Sequence, residues 1–251
     1  MIKFFRKIRY NLMETGKTGK YFKYAIGEIV LVVIGILIAL SINNWNEQKK
    51  ENNTATILAK SLIEDLNKDV DFLKSTLTFS KEKIRSCDTL LNLISMPINK
   101  WDIKPIYKNL NIVGQSNPFF PTTGTYQQIV TSGLLKLFDQ SLANQLNAYD
   151  MQLKKITYWA NAEDETSWLM ANIIWKGINV EAMADIRFNL PLNHELFLKI
   201  PEDSIIELKN LIAGIKMYRL KTEAEYKEQL RLAENLITSL NNAYNLNILP
   251  N

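Results

Sequence analysis

Apolar and polar positions follow different rhythms along this chain, and each rhythm predicts a different kind of element. In KYAIGEIVLVVIGILIALSINNW, apolar residues follow one another almost without a gap, interrupted by one acid, Glu28. The 19 residues from Tyr24 to Ile42 rise roughly 28 Å as a helix, close to the hydrocarbon thickness of about 30 Å. They predict one transmembrane helix over residues 24–42. Tyr21, Phe22 and Tyr24 at one end and Trp45 at the other supply the aromatics expected at both bilayer rims. A cleaved signal peptide is the competing reading, because Ala39-Leu40-Ser41 has the small-x-small form of a cleavage site; the long charged leader with Glu14, and Glu28 within the apolar core, weigh against it.

After Asn53 the apolar spacing changes to threes and fours. Leu58, Leu62, Leu66, Val70, Leu73, Leu77, Ile84, Cys87, Leu91 and Ile94 predict a long amphipathic helix with a polar gap at Ser80, ended by Pro97. Residues 96–123, with Pro105, Pro118 and Pro121, read as irregular apart from a short helix around Ile106 to Leu110. TYQQIVTSG predicts a short helix from Thr123 to a stop at Gly133. A second long pattern opens at a cap on Ser141 and runs to Ile174, before Gly177; a third follows PEDS from Ile205 to Tyr244. No stretch alternates as a strand would. Three helices of roughly 35 to 45 residues, each 50 to 65 Å long with one wet and one dry face, must cover one another. The predicted fold is all-α: an N-terminal transmembrane helix, then an extended antiparallel helical bundle over residues 43–251. No repeat of 20 to 50 residues favours a solenoid.

Residues 1–23 form the third region. Phe5, Ile8 and Leu12 fall on one helical stripe beside Phe4, with Lys3, Arg6, Lys7 and Arg9 elsewhere, which suits a short helix on an anionic membrane surface. Gly16-Lys17-Thr18 resembles the end of a phosphate loop, but Asn11 stands where that motif needs glycine; the glycines read instead as a turn into the span.

Charge then orients the chain. Its formal net charge is +4, but residues 1–50 carry +6 and residues 51–251 carry −2. The larger part is therefore no nucleic-acid binder. Lys3, Arg6, Lys7, Arg9, Lys17, Lys20 and Lys23 precede the apolar run, and Lys49 and Lys50 follow it beside Glu47 and Glu51. The positive-inside rule keeps the short N-terminus in the cytoplasm and exports everything after the run, giving a single-pass membrane protein. Membrane lipid is the first expected partner, touched by these cations and Trp45.

Candidate chemistry is sparse. One Cys and one His, Cys87 and His194, make neither a zinc cluster nor a supported nucleophile dyad, so no metal site, cofactor or catalysis is expected. Cys87 reads as a small buried hydrophobe. His194 lies in PLNHELFLKIP, where Asn193 could cap a short helix. Glu163-Asp164-Glu165 and Glu223, Glu225 and Glu228 read as solvated helix faces. Trp159, Trp168 and Trp175 on the second long helix suggest core packing more than a ligand-binding aromatic wall.

Within the span, Glu28, Leu31, Gly35, Ala39 and Ile42 fall near one stripe, with Gly27 alongside, and Gly35-x-x-x-Ala39 is a spacing that lets a second helix approach closely. Two accounts of Glu28 stand side by side. Either its carboxylate reaches the cytoplasmic headgroups or pairs with Lys20 or Lys23, or the stripe is a contact surface for a copy of itself or another membrane protein.

The stretch GKTGKYFKYAIGEIVLVVIGILIALSINNWNEQKK closely resembles the opening of an uncharacterised family of single-pass bacterial proteins, a domain of unknown function, and PTTGTYQQIVTSGLLKLFDQSLANQLNAYD is similar to its second recognisable stretch. The resemblance implies an inner-membrane protein with a periplasmic helical domain and implies no activity. It points to Gly27, Glu28 and Gly35 in the span and to Asn43, Asn44 and Trp45 at its exit. The expected function is that of a non-catalytic membrane-anchored subunit or scaffold of a protein complex; the alternative is a ligand-sensing bundle that signals through a partner membrane protein.

Overall fold

The computed structural model describes residues 6, 10, 18–246 and 248. The chain divides into two compact units, residues 1–56 and 57–251. One helix, α1 (Thr18–Ile94), contributes to both, so the pattern after Asn53 does not start a separate helix. Neither Gly nor Pro occurs between Gly35 and Pro97, and the polar residues there support the helix locally. Asn43 Nδ2 donates to Glu47 Oε1 (3.2 Å), Gln48 Nε2 to Asn52 Oδ1 (3.0 Å) and Thr54 Oγ1 to the Lys50 carbonyl (3.0 Å). Such i,i+4 pairs bridge successive turns where no apolar packing does.

In the first unit the large apolar side chains from Ile26 to Ile42 are exposed. The most apolar 18-residue window of α1 has a mean hydropathy of 2.8 and none of it is buried. A soluble core helix of this composition would be covered by its own chain. Gly19 lies inside α1, which removes it from the turn expected before the span; Gly16 and the amphipathic stripe of Phe4, Phe5, Ile8 and Leu12 lie outside the described residues.

The regular elements described in the second unit are all helices. Pro97 stops α1 and opens a 3-10 turn, Ile98–Lys100. Then come α2 (Ile103–Val113), α3 (Gly124–Thr131), a second 3-10 turn (Leu134–Leu137), α4 (Gln140–Ile174), α5 (Val180–Arg187) and α6 (Glu202–Tyr244). Among the described residues there is no strand, only an isolated antiparallel bridge between Ile178 and Leu198. The sequence places α6 within a few residues, and Asn245, at φ +51, ends it in the left-handed conformation. Gly133, at φ +65, does the same after α3.

Two local expectations are corrected. The cap of α4 is Asp139, whose carboxylate accepts from the Leu142 amide at 2.7 Å, two residues earlier than the expected Ser141 cap. The short helix near His194 lies before it, as α5, capped by Asn179 through the Glu181 and Ala182 amides (3.1 and 3.3 Å), and Asn193 caps nothing.

Cross-helix pairs give the directions. Asp69 meets Tyr149 and Lys83 meets Glu163, so α1 and α4 run parallel. Ser239 meets Gln145, Gln152 meets Glu225 and Arg219 meets Glu163, so α6 runs antiparallel to both. Leu58, Leu62, Leu142 and Leu240 pack at one end, Leu90, Ile94, Leu110, Met170, Ile174 and Leu208 at the other. A smaller cluster of Leu73, Phe119, Ile156 and Tyr226 sits between them.

Candidate functional site

The predicted stripe of the span is present as geometry. On a continuous helix, Glu28, Leu31, Gly35, Ala39 and Ile42 share a face, with Gly27 beside it. Gly27, Leu31, Gly35, Ala39 and Ile42 are exposed, and Glu28 is half-buried. A methyl group added at Gly27 or Gly35 would meet nothing within 4 Å, so nothing among the described residues requires glycine there. At the exit Trp45 is exposed, with the Lys49 ammonium 5.5 Å from its ring centre. Arg6 and Lys23 are exposed; Lys3, Lys7, Arg9, Lys17 and the side chain of Lys20 lie outside the described residues.

A polar layer interrupts the bundle between its middle and one end. Glu163, expected on a solvated face, is 1% exposed. Its Oε1 accepts from Lys83 Nζ at 2.6 Å and from Arg219 Nη2 and Nε at 2.6 and 3.1 Å. Lys83 Nζ also donates to the Gln115 carbonyl (2.6 Å), and the Arg219 guanidinium lies 5.9 Å from the Phe79 ring centre. Thr76, Ser80 and Thr222 fill the same layer, fully buried. The predicted gap at Ser80 is thus part of the interior. Burial pushes the Lys83 ammonium below the ordinary lysine range, and Glu163 restores it only in part. One turn on, burial drives the Cys87 thiol up to about 12, which keeps it protonated and unreactive. Three elements, α1, α4 and α6, each supply one ion, so the layer fixes their relative register.

The second unit also contains a cleft of about 450 Å³ among α2, α4 and α5. Its apolar lining includes Leu110, Met170 and Ile174, and Trp168 and Trp175 stand beside it with their rings edge to face at 5.9 Å. Packing of these indoles in the core is corrected: they are 62% and 52% exposed. Of the three tryptophans on α4, Trp159 alone is half-buried, against Tyr218. The polar lining includes Asn111, Ser116, Asp164, Ser167 and Arg187. Ser116 Oγ donates to Asp164 Oδ1 at 2.9 Å, whereas the buried Asn111 Oδ1 and Ser167 Oγ have no hydrogen-bond partner.

Beside the cleft, Asp185 of α5 holds the loop that follows it. Its Oδ2 meets His194 Nδ1 at 2.8 Å and accepts from the Asn193 amide at 3.2 Å. That hydrogen bond raises the His194 imidazole above its usual value, and the same contact lowers Asp185. The amphipathic spacing of α4 gave no warning of the cleft, because its lining comes from three helices with no shared sequence pattern; a tryptophan pair seven apart was the one available signal.

The chain is similar over residues 28–167 to a family model described as a family of unknown function (DUF6090). Comparison with curated proteins and with solved structures finds no match.

Proposed function

The chain belongs to the DUF6090 family of unknown function, and we propose that it is a non-catalytic membrane-anchored helical protein, a subunit or scaffold of an inner-membrane and periplasmic complex. One observation carries this reading: an apolar stretch long enough to cross a bilayer has none of its residues buried among the described residues. Exposed apolar area on that scale does not persist in water and calls for lipid or protein cover. The cations before the span and their near balance with acids after it support a cytoplasmic N-terminus and an exported bundle. The bare glycines at 27 and 35 support a helix partner in the membrane, a second copy or another inner-membrane protein, since small residues earn their place there by close helix contact.

Two measurements test this. External protease on spheroplasts should digest residues 57–251; full protection would reverse the orientation. Crosslinking in intact cells followed by mild detergent extraction should capture a membrane partner, and Gly35→Leu with Glu28→Gln should abolish that capture. Unchanged capture in both variants would remove the stripe as the contact.

The cleft favours a second reading, a ligand-sensing bundle that signals through a partner membrane protein. Its volume lies in the range of small-molecule sites, and its lining mixes apolar walls with a few polar groups as those sites do.

A further inference from the structure

The cleft beside Trp168 and Trp175 carries features that the stability of the bundle does not call for. Large rings usually serve a bundle by being buried, yet these two stand out of the core while Leu110, Met170 and Ile174 are buried at the cleft. Asp164 lies one turn before Trp168 on α4, so its carboxylate and both indoles share one side of the helix. Ser167 is informative because its neighbours behave differently. Thr157 and Thr166 turn their hydroxyls back to the carbonyls four residues earlier, at 2.9 and 2.8 Å, whereas the Ser167 hydroxyl is buried without a partner. Asn111 Oδ1, across on α2, is likewise a buried acceptor without a donor. A buried polar atom left unpaired forfeits its hydration without a replacement partner and destabilises the fold. Three oxygens at the cleft therefore have capacity for N–H donors, and the faces of two indoles attract positive charge.

We infer that this cleft binds an ammonium group carried on a small apolar body, with Asp164, Asn111 and Ser167 receiving its N–H donors and Trp168 and Trp175 flanking its charge. This rests on the ligand-sensing reading and names the class of ligand. The ammonium has two possible sources, a simple amine or a free amino acid, and Arg187 in the lining separates them, because only the amino acid brings a carboxylate to its guanidinium.

The test is titration of the full-length protein in detergent micelles, followed by calorimetry and tryptophan fluorescence. The probes are phenethylammonium, L-phenylalanine, and the neutral and anionic analogues 3-phenylpropanol and 3-phenylpropanoate. Phenethylammonium or L-phenylalanine should bind saturably and the two analogues at least about tenfold more weakly, the loss of one charge-assisted hydrogen bond. Asp164→Asn should weaken binding by a similar factor, and Trp168→Leu should remove the fluorescence response, with circular dichroism unchanged in both. Tighter binding of L-phenylalanine that Arg187→Ala abolishes supports the inference and identifies the amino acid as the source. Equal binding of the alcohol or the carboxylate overturns the ammonium assignment while leaving a ligand cleft; no saturable response to any probe overturns both.

Discussion

Arg219 and Glu163 meet inside the bundle, Nη2 to Oε1 at 2.6 Å, fifty-six positions apart in the chain and almost wholly shielded from water. Lys83 reaches the same oxygen from a third helix. Two cations thus converge on one carboxylate, in a layer flanked by hydroxyls of Thr76 and Ser80 that have no hydrogen-bond partner. Such an arrangement is poor as a source of stability and strong as a constraint on register, because any slip of one helix leaves a charge buried alone.

Removing the shared acid should therefore be costly. Glu163→Ala leaves Lys83 and Arg219 facing each other without an anion, and should lower stability by about 3–5 kcal/mol, the usual result of breaking a buried pair from one side. Lys83→Met should cost less, since burial already disfavours its charged form and the Arg219 contact persists. Urea unfolding of the full-length protein in detergent micelles, read by circular dichroism, measures both; Glu163→Ala as stable as wild type would show that the layer contributes nothing.

The clasp at His194 should respond to pH in a defined direction. His194 is raised by Asp185, so its contribution is complete below the ordinary imidazole value of about 6.5 and is lost as pH rises through the raised value. Asp185 is lowered by the same contact, so its contribution is complete above the ordinary value of about 3.9 and is lost as pH falls through the lowered one. The clasp is firmest from about pH 4 to 6.5. His194 is the only histidine, so one imidazole proton resonance reports it: the midpoint should lie above 6.5 and fall back in Asp185→Asn. A wild-type midpoint at or below 6.5 would refute the contact.

Cys87 should be silent in the folded protein. With the thiol buried and pushed up to about 12, maleimide at pH 7.5 should label it only as the bundle opens. The rate should rise with urea along the unfolding curve. Rapid stoichiometric labelling of the native protein would contradict its burial.

Two glycines should behave oppositely. A Cβ at Gly177 would sit 2.5 Å from the Lys199 carbonyl oxygen, a backbone atom that cannot swing away, and the Lys199 amide donates back to Gly177 at 2.7 Å. Gly177→Ala should cost about 1–3 kcal/mol, as overpacking does. Gly35→Ala, in open space, should leave unfolding of residues 57–251 unchanged. Equal thermal midpoints for wild type and Gly177→Ala would disprove the close approach.

Helix content and the membrane candidate were legible in the residue order. An α-helix satisfies its backbone within itself, so a spacing of threes and fours, or an unbroken apolar run, suffices to indicate which surface must leave water. That is why α6 and the ends at Pro97 and Gly133 fall where expected, and why the span stands out. A local signal cannot say what lies opposite. Ser80 looked like a flaw in a stripe and Glu163 like one acid of a wet run; each is interior because α1, α4 and α6 deliver their polar groups at the same height. Trp168 and Trp175 looked like core for the same reason, since their spacing fits an inward face, yet α2 and α5 leave a cleft beside them. The sequence by itself settled which long segments are helical and which one is too apolar for water. The tertiary structure decided which polar groups are buried, and with whom, because burial depends on partners brought from distant parts of the chain.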